Sequence, residues 1–452
     1  MSNPQPGEKV TTCGYSFTWT EDHLSKEELE PFRQQYDELG AAALERIQAI
    51  RQESQNKSTD VYEILRDNHE NDPVLTRFWD EVHTVPSWVD WDQIARGQQF
   101  FYRYAVASVV GFALQGFMAE NAVVPSVVEV LVRTGGYSSR MLLGRLLETV
   151  QWIIQVTHSA VSIKPDGEGH IATVRVRLLH ATVRHRILQL CQQRPDYFDT
   201  ETYGIPVNTL NSIHSICMFC CNRMWLQLPK FGPTPLGQRQ IADYIAVFRY
   251  LGYLVGTPTG YFETVEKAKC TMESLMVHEV RPTETSRVMV DNFLACVTNL
   301  PSPFRVSSGF VAAGGRWING DKLCDELALE RPGVVYYLSF VGFCVFATAL
   351  AWAQKLIPGF DAVMVNFFRK QLYNGIVQRK SRTRFDFKYV PQVGKKTGKV
   401  VDDSKGQASS RGLDIGLAEI IFLVFLGGCL FIVVRAAIWA HAGYRWLTAC
   451  HL

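Results

Sequence analysis

The stretch VRVRLLHATVRHRIL, residues 174–188, decides how this chain of 452 residues is read. In a helix from about Ala172 to Cys191, Val176, His180, Val183 and Ile187 fall at i, i+4, i+7 and i+11, so the histidine belongs to the apolar face. Arg177 lies one turn before His180 and Arg184 one turn after, both beside that stripe. Two guanidiniums against a buried face require an anion, because an unpaired charge is costly to desolvate. Carboxylates on neighbouring helices would satisfy them and leave His180 as a hydrogen-bonded core histidine. A haem would satisfy them too, since neutral imidazole can ligate its iron while the arginines pair with its propionates.

Around this segment the pattern is helical throughout. From Asp90 to about Gly256, helix-period runs alternate with the turn chemistry of RTGGYSS (133–139), KPDGEGH (164–170), YGIPVN (203–208) and GPTPLG (232–237), without sustained period-2 alternation. Ser87 or Asp90 can cap the helix that follows, and Asn208 the helix TLNSIHSICMFCCNRMWLQL. Gly252 and Gly256 read as close helix packing. The expected fold is all-α, with three parts: a peripheral, amphipathic helical segment at 1–83, a helical domain at 84–330 and a membrane-associated region at 331–452.

Two uncharged runs support the last part. PGVVYYLSFVGFCVFATALAWAQ gives a candidate span over 333–354, and IIFLVFLGGCLFIVV with its flanks gives another over 415–437. The alternative is a buried core helix in each case. The basic segment between them reads as a loop attracted to anionic lipid. The positive-inside rule makes that loop cytosolic, which would put the domain of a two-span protein on the other side. The 11 scattered cysteines, with no disulfide-like spacing, argue for a reducing compartment instead. The N-terminus carries no apolar signal-peptide core.

Lys and Arg total 46 against 44 Asp and Glu, so the net charge of +2 offers no field for nucleic acid. Cys217, Cys220 and Cys221 fall inside an apolar helix, where thiols are core residues, and adding His214 spreads ligands around the helix instead of converging them on a metal. G-x-S-x-G, H-E-x-x-H and P-loop motifs are absent. His158, His170, His185 and His278 lie outside the framed motif and are poorer ligand candidates.

Five blocks, VPSWVDWDQIARGQQFFYRYAV, VLVRTGGYSSRMLLGRLLETVQWI, HIATVRVRLLHATVRHRIL, GIPVNTLNSI and FRYLGYLVGTP, resemble in order and spacing the haem-dependent rubber oxygenase (latex clearing protein) family, which includes the ER-bound oxygenase of mycophenolic acid biosynthesis. The resemblance covers roughly residues 84–300 and leaves the tail beyond 330 uncovered. It implies a globin-like helical core around haem b, O2 as co-substrate, a hydrophobic isoprenoid-like small molecule or polymer as substrate, and an endoplasmic-reticulum membrane as the address. By resemblance, His180 is the proximal ligand, flanked by Arg177 and Arg184, while Arg145 and Thr149 belong to the distal side. One departure stands out: where latex clearing proteins carry a distal lysine, this chain has Glu148, which cannot serve as an amine ligand but could act as a base or proton relay if burial raises its pKa. Glu129 aligns only loosely with a second active-site carboxylate. A non-catalytic helical membrane protein, with or without haem, is the competing reading.

Overall fold

The computed structural model describes residues 3–53, 60–134, 141–232, 236–301, 304–378 and 414–449. It is all-α apart from one hairpin, β1 (Lys9–Thr12) and β2 (Tyr15–Thr18), antiparallel with Val10 opposite Phe17. The hairpin turns at Cys13 and Gly14, both with positive φ (50° and 65°), the conformation of a tight two-residue turn.

The principal helices are α1 (Glu38–Glu53), α2 (Val61–Asn68), α3 (Pro73–His83), α4 (Trp91–Arg103), α5 (Ala105–Val123, with a π-helical middle), α6 (Pro125–Arg133), α7 (Leu142–Thr157), α8 (Glu168–Gln193), α9 (Thr209–Asn222), α10 (Gln238–Leu254), α11 (Val265–His278), α12 (Glu284–Thr298), α13 (Ser308–Asn319), α14 (Val334–Leu356), α15 (Phe360–Leu372) and α16 (Leu417–Ala449). Asp90 caps α4 by accepting the Asp92 and Gln93 N–H groups, and Asn208 caps α9 through Asn211, as their positions predict. Helix α8 runs along α7 and α1, with Val174, Leu178, Ala181 and Ile187 turned into the core.

The segment 1–83 is not peripheral. Ala43 and Ile47 of α1, Leu65 of α2 and Phe78 of α3 join a single core with Leu178 of α8, Phe248 of α10 and Phe340 of α14. The charges of α1 hide an inward stripe, Gly40, Ala43, Leu44 and Ile47 at i, i+3, i+4 and i+7.

Among the described residues, three helices are long and apolar enough to cross a membrane: α5, α14 and the Leu417–His441 part of α16. Helix α5 is largely buried in the domain and is a core helix. Helices α14 and α16 run parallel, since contacts advance in both together: Tyr336 with Asp414, Ser339 with Glu419, and Phe346 with Phe422 and Phe425. The far end of α14 stays on the domain. Thr348 Oγ1 donates to the Phe231 carbonyl at 3.1 Å, and Arg103 of α4 holds Asp361, at the start of α15, through two 2.6 Å bonds. Between Val424 and Trp439, α16 leaves Val424, Phe431, Ile432 and Trp439 exposed. Most of the basic segment between α14 and α16 lies outside the described residues.

Candidate active site

One face from each of three helices encloses a cavity of about 330 Å³. Helix α7 contributes Arg145, Glu148, Thr149 and Trp152, at i, i+3, i+4 and i+7; α8 contributes Val176, Leu179, His180 and Val183 with the same spacing; α9 contributes Asn211, Ser212, Ser215, Ile216 and Phe219. Helix α6 closes one side with Val127, Val130 and Leu131, and Val255 and Thr257 close another just after α10. The lining is apolar except for the α7 face and a patch of small hydroxyl and amide groups on α9.

His180 is an interior residue with its ring open to this cavity, and it has no hydrogen-bond or ion-pair partner among the described residues. Burial, reinforced by the nearby Arg184 guanidinium, pushes its pKa down to about 4, so the imidazole is neutral near pH 7. A neutral, unpartnered imidazole facing an apolar cavity has a nitrogen available as a ligand.

The two arginines that frame it have different environments. Arg177 is 2% exposed and is answered by the chain itself: Nε and Nη2 each donate to Asp37 at 2.7 Å, and Nη1 lies 2.8 Å from Glu81. Burial opposes its charge, and these carboxylates more than restore it. Asp37, just before α1, and Glu81 of α3 are thus the carboxylates that the sequence pattern demanded for this arginine, and Arg177 does not line the cavity. Gly256 makes room for this pair. Its φ is +76°, and a Cβ there would lie 2.8 Å from Asp37 Cγ and 3.0 Å from Arg177 Nε.

Arg184 is left without a carboxylate. Its Nη2 donates to the Val207 carbonyl at 2.9 Å and its guanidinium lies 4.7 Å from the Tyr36 ring centroid, while Nε and Nη1 are buried with no hydrogen-bond partner among the described residues. Burial holds its pKa below the usual arginine value. Val207, which accepts that bond and lines the cavity, has φ +55°, a strained conformation for a β-branched residue. An unanswered cation beside the cavity suits an anionic group of a bound ligand.

On the α7 wall of the cavity, Arg145 Nη1 donates to Glu148 Oε2 at 2.7 Å across one helical turn, and the Thr149 hydroxyl donates to the Arg145 carbonyl at 3.0 Å. The three distal candidates therefore share the cavity with His180, the carboxylate paired with the arginine. Glu129 does not belong to it: this buried carboxylate accepts from Thr285 Oγ1 and pairs with Arg133 of its own helix at 2.9 Å. Cys217, Cys220 and Cys221 are buried core residues, and His214 pairs with Glu120 at 3.0 Å. Reasoning from the sequence missed Asn211, Ser212, Ser215 and Thr257 as cavity residues. The first belongs to a capping box and the next two follow it in α9, so the block reads as local helix chemistry until the packing of α9 is known.

Residues 83–352 match the family described as ER-bound oxygenase mpaB/B'/Rubber oxygenase, catalytic domain, and the chain belongs to that family. The match runs through most of α14, so the family's domain extends past residue 330, into the tail that the resemblance over roughly residues 84–300 left uncovered. Among solved structures, the fold is similar to that of the latex clearing protein LCP in its closed state, with a TM-score of 0.58 and 16% identity over 78% of this chain and 94% of that one. No curated relative matches. The chain thus carries an oxygenase catalytic domain of the rubber oxygenase type.

Proposed function

We propose that this protein is a membrane-anchored haem b oxygenase that uses O2 to oxidise or cleave a C=C bond of a hydrophobic, isoprenoid-like substrate. The observation that carries the reading is the single cavity lined both by a neutral, unpartnered His180 and by Arg145, Glu148 and Thr149. The residues present fit a haem: His180 offers a nitrogen, and Arg184 offers two unanswered N–H donors to a propionate. Arg177, already engaged by Asp37 and Glu81, fixes the turn of α8 that bears His180 and needs no propionate. Once bound, the haem iron would supply O2 activation.

The chain's own contribution is positional and electrostatic. Arg145 aims a cation into the cavity where negative charge develops on reacting oxygen, and its pairing with Glu148 fixes the direction of the guanidinium. Glu148 can hold or return a proton at its carboxylate. The valine, leucine, isoleucine and phenylalanine lining excludes water and receives an alkene chain.

Membrane attachment is assigned to α16. Its Leu417–His441 part rises roughly 37 Å at 1.5 Å per residue, enough for a hydrocarbon core of about 30 Å. Helix α14 belongs to the domain instead. Two parallel helices can both cross only if the chain between them crosses back, and neither the 13-residue α15 nor the charged 379–413 segment offers an apolar run of that length. The basic segment then lies on the same side as the catalytic domain, which agrees with a cytosolic face and reduced cysteines. The endoplasmic reticulum is the proposed membrane, on the resemblance alone.

The test is the visible spectrum of detergent-purified protein with haem supplied during expression, wild type beside His180→Ala, with haem extracted and quantified. A Soret band near one haem per chain that collapses in the variant, followed by O2-dependent carbonyl products from isoprenoid alkenes, is the expected result. A colourless wild type overturns the oxygenase reading. Intact haem without product on any isoprenoid alkene would favour a binding protein that keeps the family's fold.

A further inference from the structure

Apart from the cavity, the N-terminal hairpin meets α11 through a cluster the proposed reaction does not use. His23 follows β2; its ring stacks on those of Trp19, at 4.4 Å, and Phe17, at 5.5 Å. The Thr20 backbone N–H donates to Nδ1 at 3.0 Å, and the Thr20 hydroxyl lies 2.9 Å from the same nitrogen, so Nε2 faces α11. There it meets Glu273 Oε2 at 2.9 Å, and both side chains are almost fully buried, 1% and 2% exposed. Cys270 stands three residues before Glu273, on the same helical face. One nitrogen, one sulfur and one carboxylate oxygen from these residues lie within 4.8 Å of one another.

We propose that His23, Cys270 and Glu273 form a binding site for a divalent cation of the zinc class, one that clamps the hairpin to α11. A histidine–glutamate hydrogen bond by itself accounts for two of these residues. The thiol brought to the same point supplies the third donor, and the mixed N, S, O set suits zinc better than calcium or magnesium, which take oxygen ligands. Outer-shell support is in place: the Tyr15 phenol donates to Glu273 Oε1 at 2.7 Å, orienting the carboxylate. Zinc bonds of about 2.1 Å to nitrogen and oxygen at a tetrahedral angle need the two atoms roughly 3.4 Å apart, a few tenths beyond the present 2.9 Å separation.

Loading the site moves protons in a defined way. The Cys270 thiol releases its proton to solvent. The imidazole proton moves from Nε2, where it is shared with Glu273, to Nδ1, where the Thr20 hydroxyl accepts it; the Thr20 N–H gives up its acceptor. Lys269, whose ammonium lies 3.7 Å from Glu273 on a 40% exposed side chain, swings into solvent. Three protein ligands leave the fourth position to water.

The experiment uses the full-length detergent-purified chain, stripped with chelator, dialysed against zinc and analysed for metal per chain, with Cys270→Ser and Glu273→Gln alongside. Wild type is expected to retain one zinc more than either variant, and zinc should raise its unfolding temperature but not theirs. Equal zinc content in all three overturns the proposal. Should the variants lose their helical circular dichroism, wild type alone decides: cobalt(II) must produce a thiolate-to-metal charge-transfer band that zinc abolishes, and its absence overturns the proposal equally. Neither readout depends on haem, so the two proposals fail separately.

Discussion

Arg145 Nη1 and Glu148 Oε2 lie 2.7 Å apart on the cavity face of α7, so a carboxylate neutralises the one guanidinium that lines this wall. The pair is only partly buried, with side chains 14% and 27% exposed, and its contribution to folding is expected to be below about 1 kcal/mol. Glu148→Gln should therefore leave the thermal unfolding midpoint nearly unchanged. Product formation from an isoprenoid alkene such as squalene should fall by roughly 100-fold or more if Glu148 handles a proton. Turnover within twofold of wild type would remove Glu148 from the mechanism.

The Asp37–Arg177 pair behaves differently because it is interior. Asp37→Asn leaves a 2% exposed guanidinium with only Glu81, and the expected loss is about 3 kcal/mol, within the range for breaking a buried pair. Gly256→Ala should destabilise through the same contact, since its Cβ would strike Asp37 at a left-handed backbone position. Thermal scans in detergent check both. Variants as stable as wild type would show that the pair is solvated.

His180 gives a pH dependence with a definite sign. Its folded-state pKa, about 4, lies below the ordinary 6.5, so between these values the unfolded chain takes up a proton that the folded chain refuses. Stability contributed by the neutral imidazole is complete above about pH 6.5 and is lost as pH falls toward 4. The unfolding midpoint of the apoprotein should drop more steeply between about pH 7 and pH 5 in wild type than in His180→Gln. Parallel curves would mean that the imidazole titrates normally.

Val207 stores strain at the cavity wall. A β-branched residue at φ +55° costs on the order of 1–2 kcal/mol, which glycine would not pay. Val207→Gly should unfold at a higher temperature while removing one apolar wall and loosening the carbonyl that holds Arg184. A variant less stable than wild type would mean that valine's packing outweighs the strain.

What could be read in the sequence was local and periodic. The α8 helix, the apolar face carrying His180, the Asp90 and Asn208 caps and the buried thiols of α9 follow from spacing alone, and Arg145, Glu148 and Thr149 share the cavity with His180 as the family blocks implied. Long-range pairing was not legible. Nothing near Arg177 in sequence points to Asp37, 140 residues away, and the Cys13–Gly14 turn is too short a signal to announce a hairpin. Apolar length alone also fails to separate α14, whose two ends are both held on the domain, from α16, which is held only at its start.

That difference between α14 and α16 gives the last prediction. The two helices run parallel and Arg103 ties Asp361 back to α4, so the proposed topology has α16 alone crossing the bilayer. In a microsomal translation assay, a glycosylation acceptor placed in the 379–413 segment should stay unmodified, and one appended after Leu452 should be glycosylated. An antiparallel two-span hairpin with its basic loop in the cytosol labels these two sites in the same way but puts the catalytic domain in the lumen, so a third acceptor in the N-terminal segment should stay unmodified here and be glycosylated in the hairpin. Modification of the 379–413 acceptor would thus require α14 to leave the domain and break the Thr348–Phe231 and Arg103–Asp361 contacts. Replacing Asp361 with asparagine should then increase that modification. If the N-terminal and connecting-segment acceptors both stay unmodified in both proteins, α14 is a domain helix and the catalytic domain lies on the same face as the basic segment.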